Sequence, residues 1–440
     1  GCLHDIGKID PEFQQWVNKE IKKKTPSGIP DEGQHIEKGK FSFEAHPRHN
    51  EISLLLYHLL SDKEIYKREK SKVKHALYWH HAKPIRKIEF KSFDSIYKKL
   101  KKNLGDPDFF ALFQVFKSTI NQINVLIENS ELDDKLSLEG FLSKADSDLV
   151  DELENTLLPK YKRYAESNDE IEEYLEDVKG NAQNNLIRST VITADRMVSK
   201  LSNEVLQKHI EENSFSDLVD EALIKDRGLI TNIQQCLTGF EENHPNSLRN
   251  KQQAEAATEL ANEAVQVAVL SGAAGCGKTK IALEWAAKTG VKKIIWVCPR
   301  VQVCQGIFSD LKADNYLPNT RIELNTGEFK QTHLLSQSSE PYETPDNELF
   351  SGDIVITTID QITNAIITHR NVNSLVDYMT AHVVFDEYHE YINMPAFNLL
   401  FAELIECKRL QENNAKALLV SATPNYYFVE SLLGLNEYDI

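Results

Sequence analysis

Cysteine is scarce and scattered in this sequence. The six residues, Cys2, Cys236, Cys276, Cys298, Cys304 and Cys407, form no CxxC pair and show no paired Cys/His spacing, which excludes a zinc ribbon or a disulfide scaffold and leaves reduced core or loop thiols. Long apolar runs are missing too, so no segment is expected to cross a bilayer, and the opening residues do not resemble a secretory leader. A cytoplasmic protein with no membrane partner is the expectation. Methionine is absent before Met197, so the chain is expected to be cut from a longer product. Strand-like alternation is scarce before about residue 235, and no internal repeat is visible.

With 440 residues, 41% hydrophobic and 27% charged, the chain suits a soluble globular protein of two or three domains, each able to bury its own core. A formal charge of -17 argues mildly against wholesale coating of nucleic acid. The charge is uneven, however. "KEIKKK" and the reach from Lys63 to Lys102 are basic, whereas Glu128 to Asp177 is mostly acidic. A local basic track stays open beside the plainer reading of solvated helix faces.

Up to about residue 235, stretches such as "NEISLLLYHLL", "FFALFQVFKSTINQINVLI" and "NLIRSTVITADRMVSKL" carry apolar residues three and four apart, which predicts an all-helical domain over 1–235. "TGFEENHPNSLRN" gathers Gly, Pro, Asn and Ser and reads as a linker over 236–248. From 249 to 440, apolar runs such as "VQVAVLSG", "KKIIWVCP", "DIVITT", "AHVVFDE" and "KALLVSAT" alternate with helical segments. That alternation predicts a parallel sheet covered on both faces, and the polar stretch "GEFKQTHLLSQSSEPYETPDNELF" reads as a surface loop or short insertion. The fold class is α plus α/β.

"SGAAGCGKTK" satisfies G-x-x-x-x-G-K-[ST] with Gly272, Gly277, Lys278 and Thr279, follows an apolar run and opens a helical pattern. Small residues, Gly275 among them, let backbone N–H groups curl around phosphate oxygens, Lys278 neutralises their charge and Thr279 reaches Mg²⁺. In "AHVVFDEYHEYI" an apolar strand delivers Asp386 and Glu387 at its carboxyl end, the edge where ligands of open α/β sheets bind. Asp386 suits the Mg²⁺ and Glu387 the attacking water.

These motifs resemble the first motor domain of a superfamily-two helicase, a RecA-like parallel-sheet P-loop domain. "DEYH", with His389, resembles its D-E-x-H box, and "SATP", with Ser421 and Thr423, the motif coupling hydrolysis to strand movement. "CPRVQVC" and "TTIDQI" sit where that family contacts the nucleic-acid backbone, and Gln252 resembles the glutamine that reads adenine. The resemblance implies ATP and Mg²⁺ as cofactors. The family closes its ATP site with arginines from a second motor domain, for which this chain has no room before Ile440. Weak nucleotide binding and poor hydrolysis are therefore expected of the chain alone.

The opening "GCLHDIGKID" sets His4 beside Asp5, a pair suited to Mn, Fe, Co, Ni or Zn if further ligands converge. Candidates are His46 and His49 in "AHPRHNEIS", His80 and His81 in "YWHHAK", and Asp195 in "TADRM". Any one histidine is more often a surface or core residue, but the clustering reverses that weighting. The order of motifs is similar to the HD metal-dependent phosphohydrolases, and with the motor behind it resembles the CRISPR-associated nuclease-helicases of type I interference systems.

That resemblance implies His4, Asp5, His49, His80, His81 and Asp195 as ligands of two divalent ions such as Mn²⁺, Ni²⁺, Co²⁺ or Fe²⁺. It implies Lys8 as a phosphate-facing cation, and Asp5, Lys8 and Glu387 as the catalytic set. His46 has no counterpart and is left as a neighbour. One further family histidine lies upstream of the HD pair and nothing before Gly1 supplies it, so one metal position is expected to be weak or empty. The implied substrate is single-stranded DNA, threaded from motor to nuclease, and the implied partner is an RNA-guided surveillance complex. Trp79 is read as core in preference to a base-stacking platform. Two other readings compete: a nucleotide phosphohydrolase with an ATP-sensing P-loop domain, and an ATP-gated nucleic-acid clamp with a structural metal.

Overall fold

Apolar spacing of three and four produces helices in the first half, and short β-branched runs produce strands in the second. The structure, a computed structural model, describes residues 3–24, 46–59, 70–80, 92–128, 153–154, 156–159, 171–199, 201–212, 214, 217, 226–313, 316–335, 340–345, 349–368, 372–392, 395–411 and 415–432. Its contacts divide into two units, Gly1–Tyr161 with Ile187–His209, and Lys162–Leu186 with Ile210–Ile440.

In the first half a 3-10 turn, Ile6–Ile9, leads into α1 (Pro11–Lys24), followed by α2 (His49–Leu59), α3 (Lys70–Trp79), α4 (Phe93–Glu128), α5 (Ile171–Ser199) and α6 (Asn203–Glu212). Local chemistry sets the helix starts. The fully buried Asp10 accepts from Phe13 N at 2.9 Å in front of Pro11, and Glu51 accepts from Arg48 N at 2.8 Å at the head of α2. Helix α4 breaks at Gly105 (φ 74°, ψ 162°), with Pro107 just beyond. The core of this unit is formed by Leu54, Leu55 and Leu56 against Trp79, Phe93, Phe113 and Phe116. Each such side chain contributes roughly 1.5–3 kcal/mol by leaving water.

The second unit continues with α7 (Leu229–Asn243), α8 (Leu248–Asn262), β1 (Val267–Ser271), α9 (Lys278–Lys288), β2 (Ile294–Cys298), α10 (Val301–Leu311), β3 (Ile322–Asn325), β4 (Lys330–His333) and β5 (Tyr342–Glu343). After these come β6 (Ile354–Thr358), α11 (Ile359–Thr368), α12 (Val372–Thr380), β7 (His382–Phe385), α13 (His389–Ile392), α14 (Pro395–Arg409) and β8 (Ala417–Ser421). The strand order is β1-β8-β7-β2-β6-β3-β4-β5, parallel from β1 through β3 and antiparallel across β4 and β5. Alternate residues serve opposite faces. Val267, Val269, Ile295, Val297, Val383 and Phe385 enter one core, while Ala268, Leu270, Ile294, Trp296, Val384 and Leu418 enter the other. Burial on both sides explains why these strands read as unbroken apolar runs.

Two expectations are corrected. Residues 236–248 are no linker, because α7 runs to Asn243 with Cys236 buried in the sheet's core, and only a short turn with Asn246 at φ 65° precedes the Ser247 cap of α8. Part of the polar stretch after Gly327 extends the sheet as β4 and β5, and the hydroxyls of Thr332 in β4 and Thr344 just after β5 bond at 2.7 Å in a buried pair. The second unit also takes in the first part of α5, where Asn181 and Asn185 donate to the buried Glu403 carboxylate at 2.9 and 3.0 Å.

Candidate metal centre and nucleotide loop

The metal candidates converge because of a glycine. A β-carbon on Gly7 would fall 2.0 Å from the His49 carbonyl oxygen, and Gly7 N donates to Ser53 Oγ at 2.8 Å. Only glycine lets the 3-10 turn lie directly on the first turn of α2. Asp5 Oδ1 then stands 3.5 Å from His49 Nε2 and 3.6 Å from His80 Nε2, and His4 Nε2 stands 3.1 Å from Asp195 Oδ1 and 3.5 Å from Asp5 Oδ2. Donor atoms of Asp5, His49 and His80 lie within 4.8 Å of one another, as do those of His4, Asp5 and Asp195. Asp5 belongs to both groups.

The donor set fits divalent transition-metal ions. His80 Nδ1 lies 2.7 Å from the Leu77 carbonyl, an acceptor only, so Nδ1 carries the proton and the lone pair is on Nε2, facing a carboxylate oxygen. With the ring neutral, Nε2 and the Asp5 carboxylate are two acceptors face to face, which suits a cation between them. The hydrogen bond from His4 holds the Asp195 carboxyl below its ordinary range against the opposing effect of burial. Lys8 Nζ donates to Asp5 Oδ2. His46 stands apart as a strut, its Nε2 3.0 Å from Asp10 Oδ2 and its Nδ1 3.1 Å from Asn103 Nδ2. Asn50, buried on α2, donates to Tyr78 O at 2.7 Å and ties α2 to the end of α3 where His80 sits. His81 lies outside the described residues. Trp79 is only 2% exposed and donates to Pro159 O at 3.2 Å, which rules out base stacking.

In the second unit, Gly275 (φ 76°) and Gly277 (φ 93°) take the left-handed backbone that curls the loop between β1 and α9. Lys278 Nζ folds back on Gly272 O at 2.8 Å and Ala273 O at 3.3 Å, and Thr279 is half-buried in the first turn of α9. The glutamine against this loop is Gln253, which is buried and donates to Cys276 O at 2.7 Å. Gln252, one helical step of about 100° away, is exposed on α8. Arg249, which sequence reasoning missed, donates to Gly275 O.

Asp386 follows β7, its N–H bonded to Val297 O at 2.8 Å. Burial, reinforced by the neighbouring Glu387, pushes its carboxyl up to about 6. Glu387 sits at φ 45°, an uncommon backbone for a non-glycine residue. Its Oε2 accepts from Ala422 N at 3.3 Å and lies 3.3 Å from His389 Nδ1, which in turn is 2.9 Å from Ser421 Oγ. Thr423 N donates to the same Oγ at 3.0 Å. Strand β8 lies between β1 and β7, so the Ser421 end of β8 lies between the phosphate loop and the acidic box.

No curated protein matches the chain. Solved structures of T. fusca Cas3 are similar: with ADP, 18% identity and TM-score 0.48; with ATP, 16% and 0.47; without a named nucleotide, 17% and 0.46. Each comparison covers 98% of this chain and 44% of the other, so the chain spans under half the length of those structures. Residues 250–432 match the family described as DEAD/DEAH box helicase, and residues 1–202 the family described as Cas3, HD domain. The chain thus joins, in that order, a region of the Cas3 HD-domain family to a region of the DEAD/DEAH box helicase family.

Proposed function

We propose that this chain is a metal-dependent nuclease that cuts single-stranded DNA delivered by an ATP-driven motor, and that it acts in the cytoplasm with an RNA-guided surveillance complex in type I CRISPR defence. The observation that carries the reading is Asp5, shared by two groups of three metal-type donors. His49 and His80 would complete one site, and His4 and Asp195 the other; Mn²⁺, Ni²⁺, Co²⁺ or Fe²⁺ suits imidazole and carboxylate. Divalent ions, when bound, supply a nucleophilic water at neutral pH and neutralise charge on a scissile phosphodiester. Asp5 would contribute a ligand atom to both sites. The Leu77 carbonyl holds His80 in the ligating tautomer, and Lys8 brings a cation to the phosphate side of Asp5.

In the motor, the N–H groups of the Gly272–Thr279 loop and Lys278 take the phosphates of ATP, Lys278 exchanging its carbonyl partners for phosphate oxygens. Asp386 would hold Mg²⁺, and Glu387 would orient the attacking water. The contacts of Ser421 with His389 and Thr423 carry the change to the strand. The test is circular single-stranded DNA with Mn²⁺ or Ni²⁺, with and without ATP, in the parent and in Asp5→Ala and His80→Ala. Cutting that both substitutions abolish is expected. Hydrolysis of free nucleotides in place of DNA would indicate a phosphohydrolase, and binding without cutting a clamp.

A further inference from the structure

We propose that Glu390 is a positioning residue that orients Arg300 to take a backbone phosphate of the single strand, and so joins strand engagement to the acidic box. The inference rests on the DNA-handling reading above and adds a residue to it. Arg300 directly precedes α10, has extended backbone (φ -141°, ψ 151°) and is 65% exposed along its side chain. Its Nε donates to Glu390 Oε2 at 2.8 Å. Among the described residues that is the guanidinium's one hydrogen bond, which leaves the two Nη amino groups as a fork for a phosphate.

Glu390 is itself held from both sides along the chain. The preceding residue, His389, contacts Ser421 Oγ at 2.9 Å, and the following residue, Tyr391, is fully buried with its hydroxyl on Val297 O at 2.9 Å and Asp386 O at 3.1 Å. Glu390 N also donates to Glu387 O at 2.9 Å. The carboxylate that aims Arg300 thus grows from the same short helix that reads Glu387 and Ser421. An exposed ion pair contributes little to folding, so its effect belongs in binding.

Simple electrostatics predicts the opposite sign, since a carboxylate beside a phosphate repels it. This makes the experiment decisive. Binding of fluorescent oligothymidine to the whole chain is followed by anisotropy in EDTA, which prevents cutting, across a salt series. Arg300→Ala and Glu390→Ala should each weaken binding about 3- to 10-fold, and the double variant should be no weaker than Arg300→Ala alone. Glu390→Gln, which keeps an acceptor for Nε, should lose less than Glu390→Ala. The logarithmic salt slope should fall by about 0.7 in Arg300→Ala, the loss of one single-strand phosphate contact. Glu390→Ala binding as tightly as the parent, or more tightly, overturns the proposal, as does an additive double variant. A parent that binds no oligothymidine at low salt removes the functional reading beneath it, and this inference with it.

Discussion

Gly7 lies so close to His49 that any β-carbon would fall 2.0 Å from its carbonyl oxygen. Gly7→Ala must therefore lift the 3-10 turn off α2, and Asp5 and His49 part. Overpacking of this kind costs about 1–3 kcal/mol. The expected result is a fall of at least about tenfold in Mn²⁺ affinity by isothermal titration, comparable to the loss of a supporting residue at other metal sites. Unchanged affinity would show that the two helical segments can slide without disturbing the ligands.

Asp5 is common to both donor groups, whereas Asp195 and His80 each belong to one. Asp195→Asn and His80→Ala should each remove part of the bound Mn²⁺, their losses should add, and Asp5→Ala should remove more than either. Metal analysis of the dialysed protein reads this directly. Equal losses in all three would point to a single ion.

Gln253 donates to the phosphate loop and Gln252 does not. Losing that hydrogen bond costs about 1 kcal/mol, so Gln253→Ala should weaken ADP binding about fivefold, with Gln252→Ala within about twofold of the parent. A reversed order would show that Gln253 props the loop without affecting its ligand.

Lys408, fully buried on α14, donates to Met379 O at 3.2 Å and Ala381 O at 2.6 Å. Burial lowers its ammonium to about 7. A depressed lysine is charged in the unfolded chain and neutral in the folded one between about 7 and the ordinary lysine value near 10.4. The unfolded state then binds the extra proton, and stability rises with pH through that window, with the penalty complete below it. From pH 7 to pH 9 the parent should gain about 2 kcal/mol relative to Lys408→Met, read from urea midpoints. Parallel pH profiles would mean the ammonium stays charged on its two carbonyls.

The parallel strands were legible because both their faces are buried, and the phosphate loop because its glycines are demanded by backbone angles that few other residues adopt. Strands β4 and β5 were not, since "KQTH" pairs at the sheet's antiparallel edge through hydroxyls and backbone without an apolar signature. Residues 236–248 misled for a related reason: Asn, Pro and Ser there end one helix and cap the next, and the same letters would mark a linker. Adjacent glutamines differ only in helical phase, so the sequence does not say which of Gln252 and Gln253 packs on the loop. Histidine clustering nominated candidates for metal binding, His46 among them, and the family resemblance chose between them. The role of Gly7 could not be read in this way, because nothing local says which backbone it must approach.

Ser421 is gripped twice. Its carbonyl accepts from Gly272 N at 3.1 Å at the root of the phosphate loop, while its hydroxyl meets His389 of the acidic box. A shift of this one residue by a fraction of an ångström cannot be absorbed on one side alone. Loop and box are obliged to answer together, as two hands on a single lever.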